Sequence, residues 1–542
     1  MKKTIIILCA AFVTTVMSAQ NLDPTVEVSR AYEGKLIEVH KPTLKMQVPD
    51  TVQRFDLKFD YSVFESPYKS AHEFHPYMVD MRPAPSEDSH SQLYMLAGAG
   101  YTLHPVFDLV WSPDMEGPFK VAVYGNHRSY VGDYRALEQS SQWWGYDLLS
   151  EAGLDLGYDW KKASLEFGAS YYGVAVKDYL KKRSYNALDA YMSLSSKAHW
   201  PENFMYNVSA AYRFADDKST SGLMEHDLKV DAVFGPNFNA NNRMFFDVGA
   251  ELDAYSNALS ATLGRFYFTP HYVYDKGIMH LDLGVCLSAA MNSSSFLKNQ
   301  IIYPELHMDL NIIPAAMKLS LNVTGGEKLN TYGSLVDENH HLDLGYAVGG
   351  YQALLAPTVE RVTAELGLEG RISGFFSYNL RGGYSNFKSS PFEVLWTGST
   401  GMQMPGVGYS RYQKAYAVLG WDLNFQCLRF DGSVEYTHSW GFDYQPGTLF
   451  APSEFKGDAE IVYNWKRRVR VGVDGEFATA RKNQTGGKIP GYVDLGAFAE
   501  YAVNRKISVW LRGGNLLDME IQRNLLFAEK GINFTAGICL SL

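Results

Sequence analysis

His340 and His341 stand side by side, two residues after Glu338, and all three side chains are types that ligate metals. Neighbours in an extended chain point to opposite sides, and no second ligand pair stands at a matching spacing, so no metal site is expected. Thiol chemistry is no better supplied. Cys9 lies in the apolar start of the chain, and Cys286, Cys427 and Cys539 are widely separated and odd in number, which makes neither a disulfide framework nor a zinc site. Serines, histidines and aspartates occur singly, with no motif linking a nucleophile to a base. No glycine-rich phosphate loop or cofactor fingerprint is present. The expectation is a chain with no catalytic group, no cofactor and no metal.

Charge does recur with a regular spacing, and it points to strands. With 49 basic and 59 acidic residues the net charge is -10, and nothing basic is clustered enough to bind nucleic acid. Asp282, Glu305, Asp309, Glu365, Asp458, Glu460, Asp474 and Glu476, with Arg468, Arg470 and Arg512, occupy alternate positions opposite apolar residues. Met279, Leu281, Leu283, Val285 and Leu287, for example, alternate with His280, Asp282, Gly284, Cys286 and Ser288. A period of two places one set on each face of a strand. If the polar face lines an open lumen, its acidic excess favours cations or neutral solutes over anions. If the charges pair across strands, they only solvate the interior. The 36 Tyr, 30 Phe, 10 Trp and 47 Gly fit a β-protein.

Residues 1–19 combine a basic start, an apolar run from Ile5 to Val13 and small residues at Ser18 and Ala19, the marks of a secretory signal peptide. Residues 20–90 carry Pro24, Pro42, Pro49, Pro67, Pro76, Pro83 and Pro85, which disfavour helices and central strands. They read as an extended periplasmic or lumenal segment in which Phe55, Phe59, Tyr61 and Phe64 could dock inside a lumen. Residues 91–542 carry the alternating pattern. A large soluble all-β protein such as a propeller competes with a transmembrane barrel. Four features favour the barrel: the export signal, strands of about 9–12 residues, aromatics such as Trp143, Trp144 and Tyr146 at strand ends, and short turns alternating with longer loops. The fold expected is an all-β, antiparallel transmembrane barrel of about 22 strands. Turns such as Trp465-Lys466-Arg467 and Asn504-Arg505-Lys506 would face the periplasm, and loops 130–143, 332–357 and 440–452 would face outward.

The end of the chain carries a more specific signal. Asn515-Leu516-Leu517-Asp518 precedes Gly531-Ile532-Asn533-Phe534-Thr535-Ala536-Gly537, and this resembles the end of TonB-dependent receptor barrels. Phe534, Ala536, Ile538, Leu540 and Leu542 then form the outer face of a barrel-closing strand, the edge that barrel-assembly machinery would read. Leu542 stands where the family usually ends on an aromatic. The leader ending Ser-Ala-Gln, together with the barrel, resembles those of the Bacteroidetes. The family's plug is larger than residues 20–90, so a complete plug domain is not expected. Asp23-Pro24-Thr25-Val26-Glu27-Val28 has a passing resemblance to a TonB box, a segment that adds a strand to a partner sheet, but it reads more simply as an ordinary mature N-terminus. Asp50-Thr51-Val52 fits a loose Bacteroidetes O-glycosylation pattern. The resemblance implies an integral protein of the bacterial outer membrane that acts in solute transport or as a channel. Its partners would be outer-membrane lipid, the assembly machinery, and TonB or a surface lipoprotein. The alternative is a non-transporting barrel that serves as a scaffold in an outer-membrane or cell-surface complex.

Overall fold

A computed structural model describes residues 92–542, apart from 102, 136–141, 178–181, 198–203, 219–221, 293–294, 297–300, 315, 343–354, 398–402 and 446. The expectations for the leader, for the segment 20–90 and for the motifs within it lie outside the described residues. Twenty-two strands, each antiparallel to both neighbours, run in chain order round a closed sheet. The two-residue piece Ser295–Phe296 only folds back on the strand before it.

Closure is made by the strand Leu93–Tyr101 lying against Asn533–Ser541, with Tyr94 opposite Ser541, Gly98 opposite Gly537 and Tyr101 opposite Phe534. Leu93 and Leu542 exchange backbone hydrogen bonds at 3.1 and 2.8 Å. The indole of Trp510 lies across this seam: a Cβ on Gly98 would come within 2.5 Å of it, and one on Gly537 within 2.7 Å. Those two glycines let an aromatic cover the inner side of the junction.

Alternation decides which side of the sheet each residue faces. Phe266, Leu283, Leu366, Ile461, Val473 and Ile538 all lie on the outer face and are exposed, an apolar surface that only lipid or another protein would cover. No described helix is long and apolar enough to cross a membrane.

Many strands are longer than the 9–12 residues expected. Phe119–Arg135 has 17 residues, Phe376–Thr397 has 22 and Gln403–Phe425 has 23. Only about 9–11 tilted residues are needed to cross the hydrocarbon, so the surplus extends the wall past the membrane. For the same reason the loop expected over 130–143 is mostly strand, continuing to Arg135 and resuming at Gln142.

Both ends of the sheet, Leu93 and Ser541, lie at one rim, here the terminal rim. Its connections are short, such as 277–278 and 466–468. The other, loop rim carries the long ones, including 329–357, 441–454 and 515–532.

Candidate functional site

The connection after Lys328 turns into the barrel. Thr331 caps a seven-residue helix, Tyr332–Glu338, by accepting from the Ser334 amide at 3.2 Å. Leu329, Tyr332, Leu335 and Val336 recur at helical spacing and are buried with Leu342. They pack against Val174, Val176, Tyr185, Ala187, Ala215, Leu223 and Tyr255. These wall residues share a strand face with Arg183, Asp189 and Arg213, so they point inward. The loop expected to face outward is therefore drawn into the lumen, because this part of the inner wall is apolar and a polar lumen would leave it unburied.

Polar ties fix the helix to the wall. Arg183, 4% exposed, donates from Nη1 to the carbonyls of His340 (3.0 Å) and Leu342 (2.5 Å), from Nη2 to Tyr332 Oη (2.8 Å) and from Nε to Asp217 (3.2 Å). Tyr332 Oη also donates to Asp217. Glu225, buried beside them, accepts from the Gly333 amide at 3.1 Å and from the hydroxyls of Tyr185 and Tyr255 at 3.2 and 3.3 Å. Tyr255 Oη accepts from the Tyr332 amide at 3.0 Å. A Cβ on Gly333 would meet Tyr185 Oη at 2.6 Å and Arg213 Nη1 at 2.9 Å, so the helix approaches this closely only because that residue is glycine.

A second loop, 515–532, meets the first. Ile521, Leu525, Leu526, Phe527 and Ala528 are buried, and His341 stacks on Phe527 with ring centroids 4.0 Å apart. Burial drives His341 down to about 4, and Asp147 only partly opposes this. His340 turns to the Asp147 carboxylate at 3.2 Å. The two histidines thus serve different partners, and among the described residues no group of three or more His, Cys, Asp or Glu could hold a metal ion. Glu393 joins the loops: it accepts from Asn339 at 2.9 Å and from Arg481 at 2.8 Å, and Arg481 in turn donates to the Arg523 carbonyl at 2.8 Å. Arg523 bonds Glu476 at 2.8 Å, Asp494 at 3.1 Å and also Glu529. Asn515, the first residue of the Asn-Leu-Leu-Asp element, pins the loop base by bonding both the carbonyl and the amide of Met519 at 2.8 and 3.0 Å. Nearby, burial lowers the Lys530 ammonium and raises the Glu529 carboxyl.

The loops roof a cavity of ≈ 920 Å³ lined by Asp108, Arg128, Asp147, Glu460, Arg470, Asp474, Phe498, Trp510 and Arg512, with His341 and Phe527 above. A second cavity of ≈ 730 Å³ takes in Lys318, Glu369, Asp422, Arg429, Asp431 and Asp458.

The candidate charges from the sequence are distributed as follows. Asp282 lies 3.1 Å from His271, and Glu305 stands opposite Gly284. Asp309 and Glu369 flank Lys318 at 3.3 and 2.6 Å. Glu365 accepts from Tyr416 at 2.7 Å, Asp458 from Ser433 at 2.6 Å, and Glu476 from Tyr492 at 2.6 Å as well as from Arg523. Arg470 reaches Glu500 at 3.8 Å and Arg512 reaches Asp474 at 3.4 Å. Arg468 lies in the connection before Val469, its amide bonded to the Trp465 carbonyl at 2.9 Å. Asp422, Asp431, Glu460 and Asp474 stand directly opposite one another on four consecutive strands. Such a like-charge row costs stability, and the cations placed on it are Arg429 and Arg512. Phe534, Ala536, Ile538 and Leu540 alternate with Thr535, Gly537 and Cys539 on the closing strand, and Leu542 follows it; Phe534, Ile538 and Leu542 are exposed.

The sequence reading missed Arg183, Asp217, Glu225 and Glu393. A signal was present in Tyr172-Gly173-Val174-Ala175-Val176, where both faces of a strand are apolar.

No protein-family model matches the chain, and no curated protein matches it either. Solved structures do. The siderophore receptor PirA from Acinetobacter baumannii superposes with a TM-score of 0.62 at 12% identity, covering 84% of this chain and 80% of that one. The FrpB iron transporter from Neisseria meningitidis gives 0.63 at 9% identity, covering 84% and 83%. The copper transporter OprC gives 0.62 at 12% identity, covering 84% and 81%. Identities this low speak for architecture alone, and the architecture is shared: this chain has the closed 22-strand barrel fold of those receptors and transporters.

Proposed function

We propose that the chain is an integral barrel of the bacterial outer membrane, of TonB-dependent-receptor type and Bacteroidetes-like, that passes a small solute through a lumen gated by its own loops. The observation that carries this reading is the docking of residues 329–342 inside the barrel on Arg183 and Glu225, above a charged cavity. A wall built only to hold a shape has no use for a like-charge row facing that cavity. In this reading residues 1–19 are a leader, residues 20–90 an extended segment short of a complete plug, and residues 91–542 the barrel. The gate is then the loop pair. The lumen charges Asp282, Glu305, Asp309, Glu365, Asp458, Glu460, Arg470, Asp474, Glu476 and Arg512 line the route, and their acidic excess favours cations and neutral solutes. Lipid surrounds the barrel, assembly machinery reads its closing strand, and TonB engages the N-terminal segment.

The second reading, a non-transporting scaffold that holds a surface lipoprotein, draws support from the depth of the Arg183 tie, since a permanently shut barrel needs no solute. The test is liposome swelling with neutral, cationic and anionic solutes of similar size, run on the full chain, alongside mild-detergent purification from the native membrane. Flux of cationic and neutral solutes supports transport. No flux of any solute, with a partner recovered at near one to one, rejects it in favour of the scaffold.

A further inference from the structure

The terminal rim repeats one arrangement that the transport reading leaves unused. Trp160 is followed by Lys161 and Lys162, and Trp465 by Lys466, Arg467 and Arg468, each time at a connection between strands. Both tryptophans lie on the outer, apolar face and are exposed, at 44% and 51%. The Lys466 ammonium sits 5.4 Å from the Trp465 ring centre. Beside the second turn lies Asn504-Arg505-Lys506. The Ala502 amide donates to the Arg468 carbonyl at 2.8 Å, so the two turns touch. Asn504 closes its own turn by accepting from the Lys506 and Ile507 amides at 2.8 and 2.9 Å, which leaves Arg505 and Lys506 exposed. Segments 461–469 and 501–508 contain no acidic residue.

The backbone supplies an independent reason to treat these charges as selected. Lys466 and Arg467 both adopt left-handed conformations, with φ of 53° and 54°. The turn at Ser373-Gly374 has the same form, with φ of 53° and 72°, and there the second position is glycine, as the conformation prefers. Placing lysine and arginine in a turn suited to Asn-Gly costs stability, and such strain persists where the side chains serve a function.

We propose that Lys466, Arg467, Arg468, Arg505 and Lys506 form a binding site for the phosphate headgroup of an anionic membrane lipid, with Trp465 set at the headgroup level to receive it, and that Trp160-Lys161-Lys162 is a smaller copy at the turn between strands Gln142–Asp159 and Ala163–Lys177. The inference rests on the membrane location proposed above. Lipid is the occupant because the cations directly continue the apolar outer face: Tyr463, Trp465, Tyr501 and Ile507 are exposed immediately beside them. A soluble anion would have no use for that neighbour.

The test reconstitutes the full chain in vesicles of phosphatidylethanolamine and phosphatidylglycerol. The barrel is then extracted in mild neutral detergent, and native mass spectrometry counts the lipids retained on it. Wild-type chain is expected to retain phosphatidylglycerol preferentially. The Lys466→Asn/Arg467→Gly variant is expected to lose that preference by about tenfold while melting at the same or a higher temperature, because its turn is the better one. Equal retention of the two lipids by wild-type chain, or an unchanged preference in the variant, overturns the proposal. So does binding of soluble polyglutamate to these residues in place of lipid. A chain that enters no vesicle overturns the membrane location as well, whereas one that enters and holds no lipid selectively overturns the headgroup site alone.

Discussion

Two inner walls of the same barrel are built on different physics. The wall from Ala163 to Asn257 carries Val174, Val176, Tyr185 and Leu223 facing a buried helix, and the charged groups that meet this helix, Arg183, Asp217 and Glu225, are 4%, 1% and 1% exposed. The opposite wall, from Phe455 to Gly514, carries its charges in water: the side chains of Arg470 and Arg512 are 49% and 61% exposed, and their ion pairs are long. Removing one partner of a buried pair leaves the other stranded, whereas a wet pair contributes little. The first wall therefore holds the roof in place, and the second, under the proposed transport function, would select what enters the cavity below.

Substitutions can break this comparison, and the largest effect belongs to the buried tie. Arg183→Ala should weaken docking of residues 329–342 by about 3–5 kcal/mol and turn a mostly closed barrel into one with long open events in single-channel recordings. Acid comes next. His341 is held near 4 by burial when docked and returns toward about 6.5 when undocked. The docked form is then fully favoured above pH 6.5 and loses up to about 3 kcal/mol as the pH falls from 6.5 to 4. Conductance should rise over that window, and His341→Phe, which keeps a ring against Phe527, should flatten the profile. Gly333→Val should cost about 1–3 kcal/mol by forcing the helix off Tyr185 and Arg213, measured as a lower melting temperature of the roof with the barrel's own transition unchanged. On the wet wall, Arg512→Gln should change stability by under about 1 kcal/mol but raise the cation-to-anion permeability ratio, since Asp474 loses its counter-charge.

The same contrast explains how much of the molecule is legible in the sequence. The barrel is, because lipid outside and water inside impose a period of two along every stave, as in Met279–Leu287 and Val469–Phe477. Boundaries between 370 and 450 are not: Gly382-Gly383, Pro391 and Pro405-Gly406 look like turns but sit within strands Phe376–Thr397 and Gln403–Phe425. There the wall runs past the length a membrane requires and the alternation is no longer enforced. The wet charges Asp474, Glu476 and Arg470 can be read from alternation. Arg183 and Glu225 cannot, because their role depends on a loop more than a hundred residues later in the chain folding onto them. The loop did leave a trace in the helical spacing of Tyr332, Leu335 and Val336 after the capping Thr331, but in an all-β pattern seven helical residues are easily read as loop.

Hydrogen exchange on the full chain in lipid vesicles tests the docked roof most directly. The amides of Gly333, Leu335 and Asn339 donate to Glu225, Thr331 and Leu335 respectively, all within the barrel. A docked roof predicts that they exchange at least a hundredfold more slowly than the amide of Gln484 in an exposed turn, and that Arg183→Ala erases the difference while the strand amides stay protected. Exchange of residues 332–342 at open-chain rates in the wild-type protein would contradict it.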